Sequence, residues 1–323
     1  MMENITLHVG PGAISTIGEA IAQLPPDDGT PARILLSPGV YREKLVLARS
    51  NTTLEGEDAA NTCIVFGDGA AALLEDGSKR GTFRTATLRT DGTGITLRRL
   101  TVQNDAAPRE TVGQAIALYA DGDGLLCEDC VLRSFQDTLF TAPLPLKEMQ
   151  ANGFVGPKQF APRTPQRQTY RRCRIEGDVD FIFGSAAAWF EDCELVTMDG
   201  RADRSTPLSA YVTAPSTPEG QLFGYVFLRC RFCGVDCAPG SIYLGRPWRE
   251  HARTVLLGCE LGEHIHPAGF HDWNKPHAHS TVFLAEHGSF GPGAGGARAP
   301  FVRTLTDEEA QAITYDAFMH SLS

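Results

Sequence analysis

The stretch Cys127-Glu128-Asp129-Cys130-Val131-Leu132-Arg133-Ser134-Phe135-Gln136-Asp137 decides the fold, because its frame returns along the chain. An apolar residue, two spacers, a small buried-type residue, one spacer and another apolar residue describe Cys127, Cys130 and Leu132. The same frame fits Leu97, Leu100 and Val102 upstream. Downstream it fits Tyr170, Cys173 and Ile175, then Phe190, Cys193 and Leu195, then Phe227, Cys230 and Phe232, then Leu256, Cys259 and Leu261. Successive central positions are 30, 43, 20, 37 and 29 residues apart. Such uneven spacing excludes a strict helical array but suits short strands joined by loops of variable size, as in a solenoid. Each unit is too short to hold a core of its own, so it must bury its apolar residues against the next.

Val131 to Phe140, Asp180 to Phe190 and Gly224 to Phe232 carry apolar alternation or short apolar runs bounded by Gly, Asp and Pro, as strands do. Stacked coils make parallel strands, and parallel crossovers are overwhelmingly right-handed. The predicted fold is therefore all-β: a right-handed parallel β-helix, residues 1–323 forming one domain, with short capping helices at the ends. Thr16 and Glu19 have capping-box spacing ahead of Ile17, Ile21 and Leu24, and Thr306 and Glu309 repeat it before Ile313 and Phe318. Both helices are expected to cover exposed ends of the stack.

Asp137 lies seven residues after Cys130, and Asp180 seven after Cys173. On successive coils, about 4.8 Å apart, equivalent carboxyl groups are close enough for one ionisation to oppose the other. One acid then keeps its proton while its neighbour is charged, which supplies a nucleophile or base beside a proton donor. The alternative is a pair of solvated turn aspartates. Phe181, Ile182 and Phe183 weigh against it, since an ionised group among apolar residues needs a partner. Gln136 precedes Asp137, and Gln114 sits one repeat earlier in the apolar run Gly113 to Leu118; two side-chain amides can donate to an oxyanion. Arg246, in Gly245-Arg246-Pro247-Trp248, has the planar fork that holds a carboxylate ionised, and Trp248 offers a flat face for a sugar ring. Taken singly, these four also fit a surface amide, a surface charge or a core indole.

Composition narrows the class. The chain has 323 residues, 42% of them hydrophobic, enough for a substantial core. A formal charge of −10 argues against a nucleic-acid partner. No stretch approaches the roughly 20 apolar residues of a membrane span, and Met1 to Gly12 has neither a basic segment nor an apolar run. A cytoplasmic protein is expected, or a secreted one if a signal was trimmed, a monomer in preference to an oligomer, with its nine cysteines read as reduced thiols. His264, His266, His271, His277 and His279 lack a thiol or carboxylate pair at ligand spacing, and Cys230, Cys233 and Cys237 lack a second pair, so neither metal nor cofactor is expected.

Gly113-Gln114-Ala115, Gln136-Asp137-Thr138-Leu139, Asp180-Phe181-Ile182-Phe183-Gly184 and Leu244-Gly245-Arg246-Pro247-Trp248 occur in the order and context of the pectin methylesterases. Pro38 to Glu43, His266-Pro267-Ala268-Gly269-Phe270 and Gly291-Pro292-Gly293-Ala294 also resemble that family. The resemblance spans nearly the whole chain. It implies a parallel β-helix whose cleft removes methyl esters from galacturonate residues of pectin or methylated oligogalacturonides, without a metal. By the same resemblance Asp180 matches the nucleophile, Asp137 the acid/base, Gln114 and Gln136 the oxyanion donors, and Arg246 the residue orienting the nucleophile. Trp248 matches a sugar-contacting aromatic, and Phe135 and Phe181 are taken as further substrate contacts.

Several positions depart from the family pattern. Phe135 and Phe140 stand where tyrosines are common, Ser185 replaces a common Asn, and Asp178 adds a charge near Asp180. Thr141 to Thr169 is long for the family and reads as a lid or subsite wall, or equally as surface padding. An inverting glycoside hydrolase also uses paired aspartates, but set roughly 6.5–9.5 Å apart, and a non-catalytic carbohydrate-binding solenoid shares the fold. The missing export segment and acidic charge together point to an intracellular enzyme acting on imported, methylated oligosaccharides.

Overall fold

The repeated frame turns on one left-handed residue. Arg99, Asp129, Arg172, Asp192 and Arg229 each precede a central position of the frame, and each has φ between 50° and 54°. Gly258 fills the same place before Cys259, with φ 59°. A side chain in this region is strained by about 1–2 kcal/mol. Ion pairs between coils return a small part of the cost: Arg172 forks onto Asp129 at 2.7 and 3.0 Å, and Arg229 onto Asp192 at 2.9 and 3.0 Å. The cysteine that follows five of these six corners, Leu100 taking its place after Arg99, is small enough to sit inside it. Its thiol donates weakly to the carbonyl two residues back, from Cys130 to Glu128 at 3.3 Å and from Cys173 to Arg171 at 3.3 Å.

Residues 5–201 and 203–322 are described in the computed structural model. They build a right-handed parallel β-helix of three parallel sheets with eleven, eight and seven strands. One coil runs through Leu125–Glu128, the corner at Asp129, Val131–Arg133 and Leu139–Thr141. The next runs through Arg167–Arg171, Arg174–Gly177 and Val179–Gly184. Each predicted long strand is thus two strands either side of a bend, as at Val131–Arg133 and Leu139–Thr141. Inside, the frame residues stack coil on coil: Tyr170, Phe190 and Phe227 lie ring on ring at 4.7 and 4.6 Å. All nine cysteines are free, but Cys63, Cys233 and Cys237 are only partly buried, so the core-thiol reading holds for the other six.

Both capping boxes form, with Thr16 and Glu19, and Thr306 and Glu309, satisfying each other's backbone N–H groups. Helix Ile17–Gln23 caps the amino-terminal coil, burying Ile17 and Ala20. The carboxyl-terminal helix differs from expectation. It breaks after Ala312 and resumes over Tyr315–Met319 with its own cap, Thr314. Phe318 packs on the outward-facing Trp189 of the eleven-stranded sheet and on Phe223, just before the strand Tyr225–Leu228. This helix covers a side of the stack, because that sheet's outer face is apolar, and not its end.

His264 is 3% exposed, and an added Cβ at Gly234 or Gly262 would collide with its ring. Its Nε2 has no hydrogen-bond partner among the described residues, and burial pushes its pKa down to about 4. Since the folded value lies below the ordinary 6.5, folding stability falls as pH drops from about 6.5 towards 4, by about 3 kcal/mol in all. His264→Leu is expected to flatten that acid loss. Melting temperatures measured between pH 7 and pH 4.5 check it, and an unchanged slope counts against the assignment.

Candidate active site

The cleft lies on the outer face of the seven-stranded sheet. Leu139 pairs with Ile182, Phe140 with Phe183 and Thr141 with Gly184. Continued back, this register sets Asp137 beside Asp180, and the Asp137 N–H donates to the Val179 carbonyl at 3.1 Å. Both aspartates are left-handed, with φ 66° and 51°, so the chain turns sharply and presents each carboxyl to the cleft. The coils must also close tightly here: a Cβ at Gly184 would stand 2.1 Å from the Thr141 carbonyl oxygen, and only glycine fits.

Asp180 and Asp137 are both buried but differently held. Arg246 forks onto Asp180, Nε to Oδ1 at 2.9 Å and Nη2 to Oδ2 at 2.6 Å. Burial still pushes the Asp180 carboxyl above its ordinary range, while the Arg246 hydrogen bonds and charge, and the more distant Lys275, pull it back. Asp137 has no such clamp. Burial and then the charge of Asp180 drive its pKa well upward, with Arg246 opposing. The Arg246 fork thus favours the charged form of Asp180, and Asp137 is the acid of the pair that holds its proton to higher pH.

Gln114, Gln136, Asp137, Asp180, Arg246 and Trp248 line one cavity of about 350 Å³. The glutamine backbones are fixed by neighbouring coils, Ala115 N–H donating to the Gln136 carbonyl at 3.1 Å and Ala70 N–H to that of Gln114 at 2.9 Å. Trp248 is half-buried, its ring 5.8 Å from Phe183 and under the Arg249 guanidinium at 4.7 Å. Two expected contacts are corrected. Phe181 is fully buried in the helix interior, since alternation along Val179–Gly184 sends it inward when Asp180 faces out. Phe135 does not line the cavity; its ring lies under Arg109 at 5.3 Å. That same arginine pairs with Asp178, so the extra charge beside Asp180 is neutralised. Phe140 is buried against Phe83, Tyr119 and Phe183 and does not face the cleft. Ser185, the position of a common Asn, shares a 2.8 Å hydrogen bond with buried Ser216.

The sequence alone does not reveal what holds Arg246. Its guanidinium is sandwiched between Tyr211 at 3.8 Å and Trp273 at 3.7 Å. Behind Tyr211, Tyr243 and His266 continue the pile of rings at 5.5 and 4.2 Å, and His271 meets Tyr243 edge-on. These histidines buttress a cation, while His277 and His279 lie beside Glu250 and Asp272. Among the described residues no three His, Cys, Asp or Glu side chains gather as a metal site. Lys275 donates to the carbonyls of Pro247 at 2.9 Å and Trp248 at 3.1 Å, pinning the segment that carries Arg246; burial lowers its pKa to about 8. Tyr211, Tyr243, Trp273 and Lys275 lie outside the motifs that marked the site, and the fold brings them to Arg246.

No helix among the described residues is long and apolar enough to cross a membrane. Comparison with known proteins places this site in context. The Pectinesterase family pattern matches residues 4–144 and 163–321. "Pectinesterase/pectinesterase inhibitor 18" of Arabidopsis thaliana is 31% identical over 295 residues, covering 88% of this chain and 46% of its own length. The chain spans about half the length of most of the plant relatives it matches. The pectin methylesterase PemA from Erwinia chrysanthemi superposes with a TM-score of 0.79 at 28% identity, covering 100% of this chain and 98% of that one. A pectin methylesterase in complex with a hexasaccharide gives the same score, identity and coverage. These matches overturn the cytoplasmic placement and the imported-oligosaccharide reading. The relatives are pectinesterases, named for a polymer of the cell wall, and nothing in the matches supports a cytoplasmic home. With the family pattern covering nearly all of its length and this cleft at its centre, the chain belongs to the pectinesterase family.

Proposed function

We propose that the chain, acting as one domain over residues 1–323, hydrolyses methyl esters of galacturonate residues in pectin or methylated oligogalacturonides and releases methanol. The observation that carries this reading is the unequal pair: Asp180 is clamped by the Arg246 fork, while Asp137 beside it is unclamped, its pKa driven upward by burial and the neighbouring Asp180.

A carboxylate oxygen of Asp180 attacks the ester carbonyl carbon, and the carbonyl oxygen becomes an oxyanion within reach of the Gln114 and Gln136 amides. As the tetrahedral intermediate collapses, Asp137 gives its proton to the departing methoxy oxygen, methanol leaves, and Asp180 is joined to the substrate as an anhydride. Asp137, now charged, removes a proton from water. The hydroxide adds to the galacturonyl carbon, the anhydride bond breaks, and the free galacturonic acid group is released, which gives its proton to solvent, as ionised Asp180 and protonated Asp137 are restored. Trp248 supplies the stacking face for the sugar.

Methanol release from methylated oligogalacturonides, with chain length followed in parallel, tests the reading. Methanol with intact chains is the expected result; shortened chains without methanol would point to a glycoside hydrolase instead. Gln136→Ala is expected to lower kcat by about 10²–10³-fold with KM little changed, because the amide acts on charge that appears only in the transition state. A smaller loss, or one confined to KM, would remove Gln136 from the oxyanion site.

A further inference from the structure

The family pattern skips residues 145–162, yet this segment packs against the cleft. Its fold is anchored at several points. Lys158 meets Asp91 at 3.2 Å and Asp121 at 3.1 Å, and Arg249 Nη2 donates to the Lys147 carbonyl at 2.8 Å. Just beyond it, Arg163 donates to the carbonyls of Pro145, Lys158 and Gln159, at 3.3, 3.1 and 2.7 Å. These contacts are those of a built wall and not of padding. Met149, Gln150, Gly153 and Phe154 line the same cavity as Asp180 and Trp248. Phe154 is 4% exposed, edge-on to Phe83 at 5.8 Å and to Trp248 at 6.3 Å.

The Trp248 ring also meets Phe183 at 5.8 Å and the Arg249 guanidinium at 4.7 Å. We propose that segment 145–162 is a specificity-determining wall, and that Phe154 is a positioning residue that fixes the Trp248 indole where a galacturonate ring stacks. The inference rests on the esterase reading above. A face set in advance saves the ordering cost of binding, so its effect falls on affinity for the sugar chain and not on the chemistry at Asp180.

Phe154→Ala and the volume-conserving Phe154→Leu test it, with methanol release measured on a methylated oligogalacturonide and on a small methyl ester lacking the sugar chain. Phe154→Ala is expected to raise KM for the oligosaccharide about three- to tenfold, with kcat within about twofold. Phe154→Leu should show a smaller rise, Phe154→Tyr should restore wild-type KM, and the small ester should be unaffected by all three. An unchanged oligosaccharide KM in folded Phe154→Leu and Phe154→Ala, or an equal loss on both substrates, overturns the inference while leaving the esterase reading intact. If the wild-type protein releases no methanol and calorimetry detects no binding of either methylated or demethylated oligogalacturonide, both fall together.

Discussion

Asp180→Asn is expected to fold and to bind oligogalacturonide while releasing methanol at least about 10⁴-fold more slowly than wild type. The magnitude is that of deleting a nucleophile whose partners cannot act without it. An amide is nearly isosteric with the carboxylate but a poor nucleophile, and here it also loses the charge that the Arg246 fork holds. Circular dichroism and sugar binding separate lost chemistry from lost structure. Folded Asp180→Asn enzyme with wild-type methanol release would end the proposed mechanism.

Removing Arg246 should have the second largest effect, and it carries a pH signature. Asp180 reacts only when ionised, so activity falls on the acid side as it takes up a proton, and on the alkaline side as Asp137 loses its own. With Arg246→Ala nothing remains against the burial that pushes Asp180 upward except the distant Lys275, so the acid limb moves to higher pH. The stability sign follows from the same shift. A buried carboxyl whose folded pKa lies above the unfolded value stabilises the fold fully below the unfolded pKa, and that contribution is lost as pH rises through the folded pKa. The variant should therefore be destabilised at pH 7, by about 3 kcal/mol for a broken buried pair, and its deficit relative to wild type should shrink towards pH 4. Arg246→Lys restores a point charge but neither the fork nor the stacking between Tyr211 and Trp273, and should recover little. An Arg246→Ala enzyme with an unmoved acid limb would show that the arginine does not set the charge of Asp180.

The segment 145–162 and the histidines illustrate how the same residues change meaning in three dimensions. In the sequence the longer stretch Thr141 to Thr169, which contains it, was a lid or subsite wall or padding; in the fold, buried Phe154 and the Lys158 ion pairs make the segment part of the cleft. His266 and His271, given no role in the sequence, are rings in a pile that ends on the Arg246 guanidinium.

What the sequence determined by itself was whatever repeats or acts locally. The cysteine frame, the seven-residue offset of the two aspartates and both capping boxes are short-range patterns, and each maps directly onto coils, register and helix starts. Only the tertiary structure decided which way Phe181 faces, where the last helix lies and what grips Arg246. Phe181 adjoins the reactive aspartate in sequence, but a period of two turns neighbours to opposite faces. Tyr211, Trp273 and Lys275 reach the site from other coils through turns of unequal length, and no local propensity encodes the distance across such turns. Stacking the coils at one register brings those side chains together, and with them the difference in charge between two otherwise equivalent aspartates.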